Sequence, residues 1–161
     1  MKHQGQHGQM ETGGHYKRLA AMVALSYASM YALMYAMVNV FENVLPNVNQ
    51  LYMAALMTGA MVIIELALMG GMYPKKTVNA IALGLGAAVL VAAWLAIRQQ
   101  ALVSDRQFLK SMIPHHAGAI LMCQEAPIGD PEIKELCRAI VSSQQAEIDQ
   151  MKAKLEELER R

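Results

Sequence analysis

Two adjacent histidines follow a methionine and a proline in the run Met112-Ile113-Pro114-His115-His116, the part of the chain best suited to chemistry. On a helix of 3.6 residues per turn, Met112 and His116 lie one turn apart on the same face. Met122 follows on the same predicted helix and Met151 lies on the next one. Imidazole nitrogen combined with thioether sulfur is a ligand set that suits Cu(I) and related soft ions. The pattern therefore indicates a metal site formed by Met112, His115, His116, Met122 and Met151.

A carboxylate and an amide on the second helix, Glu147 and Gln144, lie where apolar residues are expected. A buried polar group without a partner costs roughly 2–7 kcal/mol by transfer estimates, so the histidines of the first helix should pair with them. In one interpretation, His115 or His116 donates to Glu147 in a buried network that fixes the helix register. In the other, Glu147 orients a metal-bound imidazole and is part of the metal site. The adjacent histidines and nearby thioethers favour the metal interpretation.

Pro114 and the two cysteines add detail to this site. Pro114 lacks an amide proton, which predicts a kink that turns both histidines towards a common point. Cys123 and Cys137 are predicted to face inward on the two helices. A disulfide between them needs a close helix register, and the sequence leaves a disulfide and free thiols equally open. Neither cysteine is among the predicted ligands.

The elements that position these residues follow from the composition, which is 55% hydrophobic and 17% charged. Three stretches reach the roughly 20 apolar residues that a membrane-spanning helix needs, namely Leu19–Val40, Leu51–Met69 and Val78–Ile97. A net charge of +1 without a basic stripe argues against nucleic acid as a partner. We predict a flexible His-, Gly- and Gln-rich tail over residues 1–16, a three-span membrane anchor over 17–98 and an extracytoplasmic helical hairpin over 99–161.

Basic residues next to the spans predict the orientation of the chain. Lys17 and Arg18 precede the first span, Lys75 and Lys76 lie between the second and the third, and the connection 42–50 has no Lys or Arg. The N-terminus should therefore be cytoplasmic and the hairpin should lie on the other side.

Two features inside the spans predict packing. Ala80, Gly84 and Ala88 repeat every four residues in the third span, which lets another helix approach closely. Glu65 interrupts a methionine row in the second span. We interpret it as a side chain that reaches the interface or bonds to a neighbouring tyrosine, with a place in an ion path as the alternative.

The hairpin is predicted from its capping residues. Ser104 and Gln107 form a plausible capping box for a helix that ends near Glu125, and Asp130 precedes Pro131 as the N-cap of a helix that ends near Leu158. The predicted fold is all-α, with three transmembrane helices followed by an antiparallel helical hairpin. Because one short hairpin exposes much apolar surface, we expect a homodimer that completes a four-helix bundle.

The motifs at 105–116, Asp130-Pro131 and 144–151 resemble the bacterial "domain of unknown function 305" family, over about residues 100–156. The resemblance implies a ferritin-like helical bundle in the periplasm, often associated with copper and silver resistance. By position it implies a ligand set of Met112, His115, His116, Met122 and Met151, supported by Glu147. Combined with the three predicted spans, it leads us to expect a protein of the bacterial inner membrane with the hairpin in the periplasm.

The leading hypothesis is a membrane-anchored protein that binds Cu(I) or Ag(I) for buffering, tolerance or delivery, with a copper-handling protein as a further partner. The alternative is a structural membrane module whose hairpin only mediates oligomerisation. An enzyme of the di-iron bundle type is not expected, because its Glu-x-x-His motif does not occur in the sequence.

Overall fold

Long apolar and amphipathic runs of the chain form five α-helices in a computed structural model that describes residues 4–160, with side chains from residue 14 onward. The helices are α1 (Gln4–Leu33), α2 (Val48–Met69), α3 (Lys76–Gln99), α4 (Asp105–Glu125) and α5 (Pro131–Glu159). No strand occurs among residues 4–160, so the fold is all-helical as predicted. α1 begins at Gln4, inside the segment 1–16 for which we predicted a flexible tail.

Three helical stretches are long and apolar enough to cross a membrane, in agreement with the predicted number of spans. They cover Gly14–Met37, Val48–Met72 and Lys76–Gln99. The first one differs from the predicted span, because α1 ends at Leu33 and a 3₁₀ helix continues over Met34–Met37 instead of regular helix to Val40.

Residues 4–32 and 51–101 form one compact unit. Its core contains Leu19, Val62, Leu66 and Tyr73. The Tyr73 hydroxyl donates to Glu65 Oε1 at 2.9 Å, which confirms the interpretation of Glu65 as a carboxyl group bonded to a nearby tyrosine.

The third span packs through a different face from the predicted one. A Cβ atom on Gly59 would lie 2.8 Å from the Gly86 carbonyl oxygen, so α2 and α3 approach closely at these two glycines. Gly84, in the predicted stripe of small residues, is exposed, and a Cβ atom added to it would meet no neighbouring atom within 4 Å. Of the two predicted uses of this stripe, packing inside the bundle does not occur, and a contact between subunits stays a prediction.

Residues 33–50 and 102–160 form the second compact unit, so residues from outside the predicted hairpin contribute to it. Its core consists of buried residues of α4 and α5, with Val38 and Leu45 packed against it. The buried core residues are Ile113, Ala117, Ile120, Ile148 and Leu155.

Candidate metal site on helices α4 and α5

Capping side chains fix where the two site helices begin. The Ser104 side chain accepts from the Gln107 amide at 3.5 Å, and Asp130 Oδ1 accepts from the amides of Glu132 and Ile133 at 2.8 and 3.0 Å. Both predicted N-caps are confirmed. The Gln107 side chain does not close a capping box, because its Oε1 accepts from the Val48 amide at 2.9 Å.

Contacts between α4 and α5 pair the start of one helix with the end of the other, the order expected of antiparallel helices. Arg106 donates to the Leu158 carbonyl, and Lys110 Nζ lies 3.2 Å from Glu159. Further along α4, His116 meets Glu147. This register places the predicted site in the middle of the helix pair.

His116 is the buried member of the histidine pair and has a protein partner at each ring nitrogen. Nε2 lies 2.6 Å from Glu147 Oε2, and Nδ1 lies 2.9 Å from the Met112 carbonyl oxygen. Which ring nitrogen donates depends on the tautomer of the imidazole. The buried ring is therefore held between a carboxylate and a backbone carbonyl group.

Two of the predicted thioethers border this pair. Met112 precedes His116 by one helical turn, and Met151 follows Glu147 by one turn. Both side chains are half-buried, and Met151 packs against the core of α4 and α5. One imidazole and one carboxylate therefore meet between the helices, and one thioether on each helix lies a turn away in the chain.

His115 and Met122 are not gathered with them. His115 is exposed, and its ring centroid lies 6.2 Å from that of His116. The Met122 side chain is 54% exposed. α4 continues through Pro114, and a regular helix separates neighbouring side chains by about 100°. The prediction that both histidines face inward is wrong for His115.

Glu147 lies at the edge of the seam between the helices rather than in its middle. Its side chain is 51% exposed, whereas that of His116 is 10% exposed. Gln144, also predicted inside the apolar stripe, is half-buried. The carboxylate therefore pairs with a buried histidine while it keeps access to water.

Cys123 and Cys137 are free thiols that line the same cavity between α4 and α5. The hydrogen bond with Cys137, and then burial, raise the pKa of the Cys123 thiol above its ordinary value. Of the two possibilities left open by the sequence, the structure has the free thiols.

Among the residues whose side chains are described, no three His, Cys, Asp or Glu residues group closely enough to hold a metal ion. Methionine is the additional donor type next to His116, so a soft-metal site around that histidine would depend on thioethers.

A polar contact between α4 and the segment 33–50 was missed by the sequence analysis. Asn49 Nδ2 donates to Ser111 Oγ at 2.9 Å, and the Met37 carbonyl oxygen would lie 3.4 Å from a Cβ atom on Gly118. Asn43 and Asn47 are buried in the same segment. The repeated asparagines at 39, 43, 47 and 49 were the available signal.

The described residues define a class of protein that is all-helical. It has three apolar helices and a polar cluster between its last two helices. The sequence profile described as "Domain of unknown function (DUF305)" matches residues 64–155, and the chain belongs to this family. The match begins in α2, well before the start of the region in which we recognised the resemblance. No solved structure matches the chain.

A protein of Acanthamoeba polyphaga mimivirus that is described as uncharacterized is 38% identical over 113 residues. The aligned region covers 68% of this chain and 72% of the viral protein.

Proposed function

We propose that this protein binds copper as Cu(I), or silver, through helices α4 and α5, and that its three apolar helices anchor it in a membrane. The observation that carries the proposal is the buried His116 ring paired with Glu147. Met112 and Met151 each lie one helical turn along the chain from a member of this pair. Imidazole and thioether groups are the donors that a soft monovalent ion prefers.

Binding would begin with the displacement of a hydrogen bond, because both His116 ring nitrogens already have partners. Metal binding releases a proton from a protonated ligand. The half-exposed Glu147 side chain has room to move outward or to remain on the other ring nitrogen as a support. His115 and Met122 stay predicted ligands, and the proposal depends on Met112, His116, Glu147 and Met151.

The role we propose is buffering, tolerance or delivery of the ion, without catalysis. The partners are the metal ion, the lipid bilayer, a second copy of the chain and a copper-handling protein that receives the ion. We place the protein in a bacterial inner membrane with a cytoplasmic N-terminus and the α4–α5 hairpin, a ferritin-like half-bundle, in the periplasm.

The test is titration of the full-length protein in mild detergent with Ag(I), and with Cu(I) in the absence of oxygen. All variants carry Cys123→Ser and Cys137→Ser, so that thiolates do not contribute to binding. We expect His116→Ala to abolish tight binding, and Met112→Leu or Met151→Leu to weaken it, because leucine keeps the volume but lacks the sulfur.

Met57→Leu is the matched control, since this exposed methionine of α2 lies outside the site. It should leave affinity and stoichiometry unchanged. Unchanged binding in His116→Ala would reject the proposal.

A structural role for the hairpin in assembly is the second candidate. It is favoured by the two hydrogen bonds that already satisfy the His116 ring. This alternative predicts that Ag(I) has no effect on thermal stability, whereas an ion that binds the native state should raise the melting temperature.

A further inference from the structure

The end of the α4–α5 pair next to the connection 126–130 holds a second group of soft ligands. Cys123 lies near the end of α4 and Cys137 near the start of α5, and their side chains share a hydrogen bond. Both residues are half-buried and both are free. They line an open cavity of about 490 Å³, so a solute can reach the sulfur atoms.

We propose that Cys123 and Cys137 bind one soft monovalent ion between two thiolates. Thiolate is a soft ligand that suits Cu(I), and also zinc and iron–sulfur clusters, which usually take more than two such ligands. A d¹⁰ ion of this kind is stable with two opposed sulfur ligands, so a facing pair of cysteines is sufficient. The ion replaces the proton of each thiol, two protons leave to solvent, and no electron is transferred.

The side chains around the cavity carry charges that would stabilise the complex of the ion with the two thiolates. A monovalent ion with two thiolates carries one net negative charge. Lys134 and Arg138 line the same cavity, and none of its described lining residues is acidic. Arg138 also pairs with Glu135 on its own helix, which leaves Lys134 as the cation with the more direct electrostatic effect.

This site is separate from the one around His116. Cys123 follows His116 by seven residues, which corresponds to about 10 Å along a helix. The two sites share no proposed ligand, so each can be removed without the other. The cysteine site does not depend on the function proposed above.

The experiment uses reduced full-length protein in mild detergent and chloride-free buffer, with Ag(I) as the probe. We expect one equivalent of Ag(I) to protect both cysteines from alkylation and to give a thiolate-to-metal absorption band in the ultraviolet. Protection and the band should persist in His116→Ala. In Cys123→Ser or Cys137→Ser, the same amount of Ag(I) should protect the remaining thiol less well than it protects the pair.

Native mass spectrometry of the double variant Cys123→Ser/Cys137→Ser should show one bound ion fewer than the parent protein. Rapid alkylation of both thiols in the presence of Ag(I) would overturn the proposal. So would a disulfide in protein alkylated at cell lysis, seen as two unlabelled cysteines that become labelled only after reduction.

Discussion

His116 and His115 are neighbours in the chain but lie in different surroundings. The His116 side chain is only 10% exposed and pairs with Glu147, whereas His115 points to solvent. A hydrogen bond to a charged group contributes about 1.5–3 kcal/mol when it is buried. The His116–Glu147 pair should therefore contribute to the stability of the second compact unit, and His115 should not.

His116→Ala should lower the free energy of unfolding by about 1–3 kcal/mol, because it leaves Glu147 without its partner and opens a cavity. Glu147→Gln should cost less than about 1 kcal/mol, since its side chain is half-exposed and the amide oxygen can still accept. Denaturant unfolding in mild detergent, followed by circular dichroism, measures both.

His115→Ala is the matched control and should change the free energy of unfolding by no more than about 0.5 kcal/mol. Equal losses for His115→Ala and His116→Ala would contradict the structural difference between the two residues.

For individual residues, the sequence predicted hydrogen-bond partners better than it predicted the direction in which a side chain points. The pairing of a histidine with Glu147 followed from a carboxylate inside an apolar stripe, where it needs a partner. The inward position of His115 depended on a kink at Pro114, and α4 runs through that proline. Whether a proline redirects its neighbours depends on tertiary packing, which local sequence does not contain.

Helices α2 and α3 pack against each other through two glycines, Gly59 and Gly86. Gly59 faces the backbone of Gly86, and a Cβ atom there would meet a carbonyl oxygen that cannot rotate away. The space between the helices is therefore closed to any side chain, and only a shift of the backbone can make room.

Gly59→Ala should destabilise the three-helix unit by about 1–3 kcal/mol, the usual cost of overpacking. Gly84→Ala is the control, because that position has no neighbour within 4 Å, and it should be neutral or slightly stabilising through helix propensity. Thermal unfolding in detergent would compare the two. A Gly59→Ala variant as stable as Gly84→Ala would contradict the observed helix contact.

The starts of α4 and α5 were predictable, while the packing partners of the helices were not. Ser104 and Asp130 cap α4 and α5 where the sequence placed them, because capping is local chemistry. The packing of segment 33–50 against α4 was missed. The hydrogen bond from Val48 to Gln107 joins residues 59 positions apart, and no local pattern predicts it.

Several large apolar side chains of α4 and α5 are exposed, although segment 33–50 covers part of α4. They include Phe108, Met122, Ile133 and Leu136, each about half exposed. Such a surface on helices predicted to lie outside the membrane is typical of an association surface. It supports the expectation of a homodimer.

Leu136→Asp should shift the protein from dimer to monomer, because it places a charge among these apolar residues. Multi-angle light scattering in mild detergent at micromolar concentration measures the mass. Gln145→Glu, on the opposite side of α5 by helical geometry, is the control and should remain dimeric. A parent protein that is already monomeric would remove the dimer prediction.

The orientation of the chain across a membrane is the prediction on which the cellular role depends. Three helices are long and apolar enough to span, and an odd number of spans places the two ends of the chain on opposite sides. Lys17 and Arg18 before the first span, and Lys75 and Lys76 between the second and the third, should stay on the cytoplasmic side.

A reporter that is active only in the periplasm should therefore be active when fused after Arg160. The same reporter fused after Lys76 is the matched control and should be inactive. The opposite pattern would place the His116 site in the cytoplasm, where it could not receive an ion from outside the cell.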